Sequence, residues 1–189
     1  FVIKKIKSNF PDSIFISEER SNINKVINSS SSFTWIIDPI DGTNNLIKDY
    51  PFYAVSICGL IHDEMQIGCV YDISRDEFFY GEKDKGAYLN GNQLSISNTQ
   101  SLQNSIVATG FVMSKVDFAA ENFENLKKIF FKCKSFRRLG SASLDLAYLA
   151  AGRIDGCWYK GLEKWDFAAG CLHVTEAGGR ISSFKNKEF

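Results

Sequence analysis

Several features that would point quickly to one class of protein are absent from this sequence. No apolar run is long enough to cross a membrane, and no secretory signal is visible, so we expect a cytoplasmic protein. Basic and acidic residues balance at 22 each, which gives no direct signal for binding nucleic acid or a membrane surface.

Cysteine and histidine do not form the patterns of a zinc centre or a redox pair. The five cysteines are odd in number and include no C-x-x-C pair, so we predict reduced, buried thiols. The two histidines, His62 and His173, have no partner at ligand-like spacing, and we expect no catalytic role for them. The P-loop, the dinucleotide-binding fingerprint and the nucleophile-elbow motif are also missing, so nothing indicates a covalent enzyme intermediate.

The segment that follows the apolar run 35–37 carries the strongest chemical signal. Asp38 and Asp41 stand on either side of a proline, and carboxylate oxygens are ligands that suit Mg²⁺ and Mn²⁺. Gly42 and Thr43 follow at a predicted helix start, where backbone N–H groups favour an anion such as phosphate. This arrangement indicates metal-assisted phosphoryl chemistry, although a solvated Asp-x-x-Asp turn has the same local pattern.

Two further acidic motifs flank this segment in the sequence. Glu18 and Glu19 follow the predicted strand Ile14–Ser17, and Asp166 begins a predicted helix that leads into the EAGG segment at 176–179. Alone, the glutamate pair would be a solvated surface and Asp166 a helix N-cap. Together, EE, DPIDGTN and WDFAAG…EAGG, in this order, resemble the inositol monophosphatase family and look most like its bacterial SuhB-type members. The resemblance runs from about residue 10 to residue 182.

The resemblance implies a set of metal ligands for two or three Mg²⁺ ions, with Mn²⁺ as a possible replacement. Glu18 and the Ile40 carbonyl would bind the first metal, Asp38 would bridge two metals, and Asp41 and Asp166 would bind the second. The implied catalytic residues are Glu18, Asp41 and Thr43, with Glu18 and Thr43 holding the attacking water.

The resemblance also implies where a substrate lies. The implied substrate-binding residues are Asp41, Gly42, Thr43, Gly140, Ser141, Ala142, Tyr159 and Asp166. Many family members that favour inositol phosphates have a glutamate at the position of Tyr159, where it binds ring hydroxyls. Tyrosine at this position alters the predicted sugar-alcohol contact. For the Gly140–Ala142 segment, helix capping by Ser141 is an equally good interpretation.

We therefore expect a Mg²⁺-dependent phosphate monoester hydrolase that acts on inositol monophosphate or a similar small phosphorylated polyol. Fructose 1,6-bisphosphate, nucleoside 3′,5′-bisphosphate and histidinol phosphate are alternative substrates, because related families act on them. The family resemblance further implies inhibition by Li⁺ and a homodimer, with an interface expected around residues 131–138. A different alternative is a transcription-associated role in which a surface contacts RNA polymerase or antitermination factors.

Periodicity and turn signals predict a layered α+β fold, and the resemblance implies the αβαβα sandwich of the sugar phosphatases. A helix end at 1–8, strands at 14–17 and 34–38 and an antiparallel meander over 52–80 precede the predicted strand 106–109 and helix 116–131. A helix at 141–151, a strand at 153–159 and a helix at 166–177 follow. We expect one compact unit with a metal- and phosphate-binding half, 1–104, and a completing half, 105–189, truncated at both ends. The Ser- and Asn-rich segment 21–32 is predicted to be a loop.

Overall fold

A seven-stranded mixed sheet forms the centre of the computed structural model, which describes residues 1–20 and 33–185. The predicted loop at 21–32 lies outside the described residues. The strands follow each other in the sheet in chain order, with β1 and β2 parallel and all later neighbours antiparallel. Their bounds are β1 Ile14–Ser17, β2 Phe33–Asp41, β3 Ala54–Ile61, β4 Glu64–Asp72, β5 Glu77–Glu82, β6 Gly86–Leu89 and β7 Asn92–Gln93.

Helices cover parts of both faces of this sheet. The α-helices of the described residues are α1 Val2–Asn9, α2 Thr43–Ile47, α3 Val116–Phe130, α4 Ala142–Ala150 and α5 Lys164–Glu176. Successive residues of a strand point to opposite faces, and β2 shows both contacts. Ile36 belongs to the core formed with α4 and α5, whereas Trp35 and Ile37 pack with apolar residues of α1.

A second, parallel sheet lies beyond α4 and has the strand order β10-β8-β9. Its strands are β8 Ile106–Thr109, β9 Ser135–Arg137 and β10 Gly156–Trp158. α3 is fixed to this sheet by the fully buried Asn122, which donates to Thr109 Oγ1 at 3.0 Å and to Gly110 O at 2.7 Å. The order α1, large sheet, α4 and α5, small sheet, α3 is the αβαβα sandwich, so the predicted α+β class is confirmed.

The two central helices approach each other closely because one contact residue is a glycine. A Cβ atom at Gly170 of α5 would lie 2.4 Å from Leu146 Cβ of α4. This contact brings the N-terminal ends of both helices to the same side of the large sheet. α4 and α5 come from the second predicted half but complete the core of the first, and the division at residue 104 remains a prediction.

Several sequence predictions need correction at the level of single elements. Asp166 is not the N-cap of α5: the cap is Glu163, and Asp166 is the third helical residue. β9 was not predicted, because its three residues lie in a basic segment with no alternation. In β4 the alternation of Met65, Ile67, Cys69 and Tyr71 predicts an apolar face that packs on the core. That face is only partly buried, and the opposite face, with Val70 fully buried, packs against the helices.

Other predictions hold. Ser141 caps α4, because its side chain accepts a hydrogen bond from Leu144 N–H. The five cysteines are free thiols, as predicted, but only Cys58 and Cys171 are buried, and Cys69, Cys133 and Cys157 are half-buried. Burial raises the pKa of Cys58 and Cys171 to about 12, so both are protonated at neutral pH. Within the described part of the chain, the longest helix, α3, has 15 residues, and none has the length and apolar character needed to span a bilayer.

Candidate active site

Four acidic side chains approach one another where β1, β2 and α5 meet. Glu18 directly follows β1, and Asp38 is one residue beyond the last β1–β2 register pair, Ser17 with Ile37. Because the two strands are parallel, Glu18 and Asp38 lie at the same edge of the sheet. Asp41 ends β2, and Asp166 lies in the first turn of α5.

The electrostatics of Asp38 show that these carboxylates share one region. Asp38 is 1% exposed, and burial raises its pKa to about 8, with further raising contributions from Asp41, Glu18 and Asp166. A hydrogen bond from Ile40 N–H to Asp38 Oδ1, at 3.0 Å, acts in the opposite direction. Burial likewise raises the pKa of Asp166 to about 6, and the charges of Asp41 and Glu18 add to the effect. The site therefore holds more negative charge than it stabilises.

Asp41 is the carboxylate that the protein holds most firmly. Its Oδ2 atom accepts three hydrogen bonds: from Ser141 Oγ at 2.7 Å, Ser143 N–H at 2.7 Å and Ser143 Oγ at 2.6 Å. These donors lie at the N-terminus of α4, where a negative charge is favoured. Burial still raises the pKa of Asp41, because the hydrogen bonds offset only part of its cost. Its orientation is fixed by a segment about 100 residues later in the sequence.

The end of β2, between Asp38 and the start of α2, departs from regular strand pairing. The β2–β3 register shifts between Asp38 and Asp41, which marks a bulge around the proline, a residue that cannot donate to the sheet. Gly42 has φ +92°, and a Cβ atom there would lie 2.9 Å from Phe52 O, so this position requires glycine. Thr43 Oγ1 donates to Ile40 O at 2.9 Å, which joins two of the predicted site residues directly.

A cavity of about 400 Å³ opens beside these residues. Of the predicted site residues, Glu18, Asp41, Gly140, Ser141, Ala142, Tyr159 and Asp166 line it. Asp38, Ile40, Gly42 and Thr43 are not lining residues; they belong to the same segment as Asp41, from the end of β2 to the start of α2. Lys115 and Arg138 supply positive charge to the wall. Lys115 Nζ bonds to Glu163 Oε1 and to Gly161 O, both at 2.6 Å, which leaves it ordered at the cavity edge.

Tyr159 lines the cavity, but its hydroxyl group is bonded to another protein side chain. The hydroxyl donates to the carboxylate of Asp145, a residue of α4 that is 1% exposed. Burial raises the pKa of Asp145 to about 7, and the hydrogen bond from Tyr159 opposes this shift. The ring of Tyr159 also packs on Gly110, where a Cβ atom would lie 2.7 Å from the ring. The hydroxyl is thus already used by the protein.

Sequence reasoning missed three residues that shape this site: Ser143, Asn45 and Asp145. Ser143 had a local signal, since it lies two residues after a predicted N-cap, where side chains can reach an anion. Asn45 and Asp145 act through contacts with residues 94 and 14 positions away, and no local pattern marks them.

The donor set fits a hard divalent cation. No three acidic, histidine or cysteine side chains within residues 1–20 and 33–185 are already arranged as a metal centre. The chemistry of the donors is nevertheless that of a Mg²⁺ site, because all of the groups are oxygen ligands. Burial and the neighbouring carboxylates both raise the pKa of Asp38, and a bound cation would offset both effects by stabilising the ionised form.

Comparison with known proteins agrees with this geometry. The family model described as "Inositol monophosphatase family" matches residues 1–189. The chain is 43% identical over 183 residues to the Nus factor SuhB of Escherichia coli K12, a match that covers 97% of this chain and 67% of that protein. It is 38% identical to the Nus factor SuhB of Vibrio cholerae over the same shares of both chains.

Solved structures give the same result at the level of the fold. The inositol monophosphatase from Anabaena (Nostoc) sp. PCC 7120 has a TM-score of 0.92 and 35% identity, over 100% of this chain and 73% of that one. The SuhB protein of Bartonella henselae has a TM-score of 0.86 and 34% identity, over 94% and 67% of the two chains. On the family model, these identities and these structures, the chain belongs to the inositol monophosphatase family.

Proposed function

We propose that this protein is a Mg²⁺-dependent phosphatase that hydrolyses a small phosphate monoester, with inositol monophosphate or a similar phosphorylated polyol as substrate. Family membership supports a phosphatase. The observation that carries the proposal is the convergence of Glu18, Asp38, Asp41 and Asp166: burial, together with the charges of the other three carboxylates, raises the pKa of Asp38 to about 8. Glu18, Asp41 and Asp166 line the cavity, and the buried Asp38 interacts electrostatically with all three, so without a cation the four carboxylates destabilise one another.

In this proposal, two or three Mg²⁺ ions would be bound by Glu18, Asp38, the Ile40 carbonyl, Asp41 and Asp166. Bound Mg²⁺ would neutralise phosphate charge and make water a stronger nucleophile. Glu18 accepts the proton of the attacking water, and Thr43 orients that water by hydrogen bonding. Phosphoryl transfer depends mainly on such positioning and charge neutralisation.

The substrate lies along the cavity wall. The phosphate would meet the lining residue Asp41 and reach Gly42 and Thr43, which follow it at the start of α2, and the leaving alcohol would meet the loop Gly140–Ala142 and Asp166. Tyr159 borders the alcohol, but its hydroxyl is bonded to Asp145, so it offers a ring rather than a hydrogen-bonding group. For that reason the alternatives remain part of the proposal: fructose 1,6-bisphosphate, nucleoside 3′,5′-bisphosphate and histidinol phosphate. A further relative of known structure, an inositol monophosphatase of Staphylococcus aureus at 28% identity, is described with bound 2′-AMP.

A panel of phosphate monoesters assayed with and without Mg²⁺ tests this function. We expect activity that disappears on chelation and returns with Mg²⁺, with Mn²⁺ as a partial replacement. A purified, folded protein that hydrolyses none of these esters at any Mg²⁺ concentration would show that the acidic cluster serves another purpose.

A second role is favoured by the names of the relatives. Proteins 43% identical to this chain are called Nus factor SuhB, which supports a transcription-associated role in contact with RNA polymerase or antitermination factors. We propose this role in addition to catalysis, in a cytoplasmic homodimer. A pull-down with wild-type protein and with the Asp38→Asn variant tests it, because a surface role should survive the loss of the buried Asp38 carboxylate.

A further inference from the structure

Asn45, a side chain outside the predicted set, connects two walls of the cavity. It lies in α2, two residues after Thr43, and lines the cavity. Its side-chain nitrogen donates to Phe52 O at 2.7 Å and to Leu139 O at 2.8 Å. An amide –NH₂ group has two hydrogens, so these bonds use both. One partner precedes β3 of the large sheet, and the other immediately precedes the loop that enters α4.

The bond to Leu139 lies against the turn at Gly140. Gly140 has φ +90°, and a Cβ atom there would be 3.1 Å from Asn45 Nδ2. The amide therefore packs on the glycine backbone at the point where the chain turns into α4. The next residue, Ser141, is the N-cap of that helix. Asn45 thus fixes the place from which α4 begins.

The position of this turn determines the contacts of Asp41. Ser141 and Ser143 supply the three hydrogen bonds to Asp41 Oδ2, and they can do so only while the start of α4 faces the end of β2. Asp41 and Asn45 are themselves joined through α2, because Asn45 N–H donates to Gly42 O at 2.8 Å. The segment 41–45 therefore meets the loop 139–143 at two places, Asn45 with Leu139 and Asp41 with the serines.

We propose that Asn45 is a positioning residue for the metal site: by holding Leu139 and Gly140 against α2, it aligns the serines that orient the Asp41 carboxylate. This proposal rests on the proposed function in assuming that Asp41 binds a cation. It does not assume that Asn45 touches the cation or the substrate. Replacing Asn45 should therefore lower cation affinity, because it would disturb the hydrogen bonds that orient Asp41.

Calorimetric titration of the purified full chain with Mn²⁺ tests the proposal without an activity assay. Asn45→Ala leaves two backbone carbonyls without their donor, and we expect Mn²⁺ affinity to fall roughly 10- to 100-fold. Asn45→Leu keeps a side chain of similar size and removes both amide donors without adding charge, so we expect a loss in the same direction. If Asn45→Ala does not fold, the Leu variant carries the test.

The matched control is Asn90→Ala. Asn90 also makes two side-chain hydrogen bonds to backbone, with Phe78 N–H at 2.9 Å and Asp76 O at 3.3 Å, but it lies in the turn between β6 and β7. We expect this variant to lose comparable stability and to keep wild-type Mn²⁺ affinity. A folded Asn45 variant whose Mn²⁺ affinity stays within about 2-fold of the wild type overturns the proposal.

A double-mutant cycle with Ser143→Ala identifies the route. If Asn45 acts through the serines, the losses in Mn²⁺ affinity from Asn45→Ala and Ser143→Ala should be smaller together than their sum. Fully additive losses would overturn that route. A wild-type protein that binds Mn²⁺ but hydrolyses no phosphate ester would refute the proposed function and leave this positioning role standing.

Discussion

Replacing Asp38 by asparagine should have opposite effects on stability and on activity. Asp38 is buried, and its pKa of about 8 means that the metal-free native state binds a proton that the unfolded chain releases near pH 4. The native state therefore loses stability as the pH rises from about 4 through about 8. Asparagine carries no charge, and its side-chain oxygen can still accept the bond from Ile40 N–H.

The size of the effect follows from the two pKa values. At pH 7, protonating a group with an unfolded pKa of 3.8 costs about 4 kcal/mol, at 1.36 kcal/mol for each pH unit. Water that enters the site reduces this penalty, so we expect metal-free Asp38→Asn to be roughly 2–4 kcal/mol more stable than the wild type. For a chain of this size that corresponds to about 5–15 °C in Tm.

Thermal unfolding in a chelating buffer, from pH 5 to pH 8, measures this difference. The Tm gap should widen as the pH rises, and Mg²⁺ should close it by stabilising the wild type more than the variant. Phosphatase activity of Asp38→Asn should be almost abolished. Asp63→Asn, in the exposed turn between β3 and β4, is the control for removal of a negative charge. A metal-free Asp38→Asn protein that melts at or below the wild-type temperature would refute the argument that burial and the neighbouring carboxylates make an ionised Asp38 costly.

Four further outcomes can be checked. Tyr159→Glu should raise kcat/KM for inositol 1-phosphate relative to glycerol 2-phosphate, and an unchanged ratio would show that this side chain does not face the substrate. Gly170→Ala should overpack the contact between α4 and α5 and lower the free energy of unfolding, measured by urea titration, by about 1–3 kcal/mol. Gly156→Ala should be close to neutral, because a Cβ atom there would lie 3.9 Å from its nearest neighbour, Val107. Burial lowers the pKa of His173 to about 4, so its contribution to stability should decline as the pH falls from about 6.5 to about 4, and His173→Gln should remove that part of the pH dependence. Li⁺ at roughly tens of millimolar should inhibit uncompetitively, because it would take the place of the second metal after hydrolysis. A competitive pattern would contradict that order of binding.

The parts of the fold that the sequence predicts well are those with strong local signals. Ile14–Ser17 and Ile106–Thr109 are strands with the predicted bounds, because short apolar β-branched runs end at clear polar residues. The start of α5 was predicted about one turn too late, at Asp166, because Glu163 and Asp166 can both cap a helix. Only the structure shows that Glu163 is the cap. The buried face of β4 could not be predicted, because it carries Gln66, Gly68 and Asp72 beside Val70, while the apolar alternation lies on the opposite, partly buried face.

For the candidate site, the acidic motifs were visible in the sequence, but their surroundings were not. Nothing local to Tyr159 indicates that its hydroxyl is bonded to Asp145, and nothing local to Asp41 indicates that Ser143 supplies two of its three donors. These contacts depend on how α4 meets the large sheet. Motifs can thus identify which residues carry the chemistry, while tertiary packing determines which of them remain available for it.

The distance along the chain between Asp41 and its serine donors has a consequence for folding. The hydrogen bonds from Ser141 and Ser143 join residues that are 100 and 102 positions apart in a chain of 189, so these contacts are strongly non-local. The entropy of closing such loops must be overcome before the bonds can form. No fragment that stops before α4 can therefore present Asp41 in its final orientation. The proposed cation binding should consequently appear late in refolding, once the tertiary structure is complete, and not when the motif that contains Asp41 first forms.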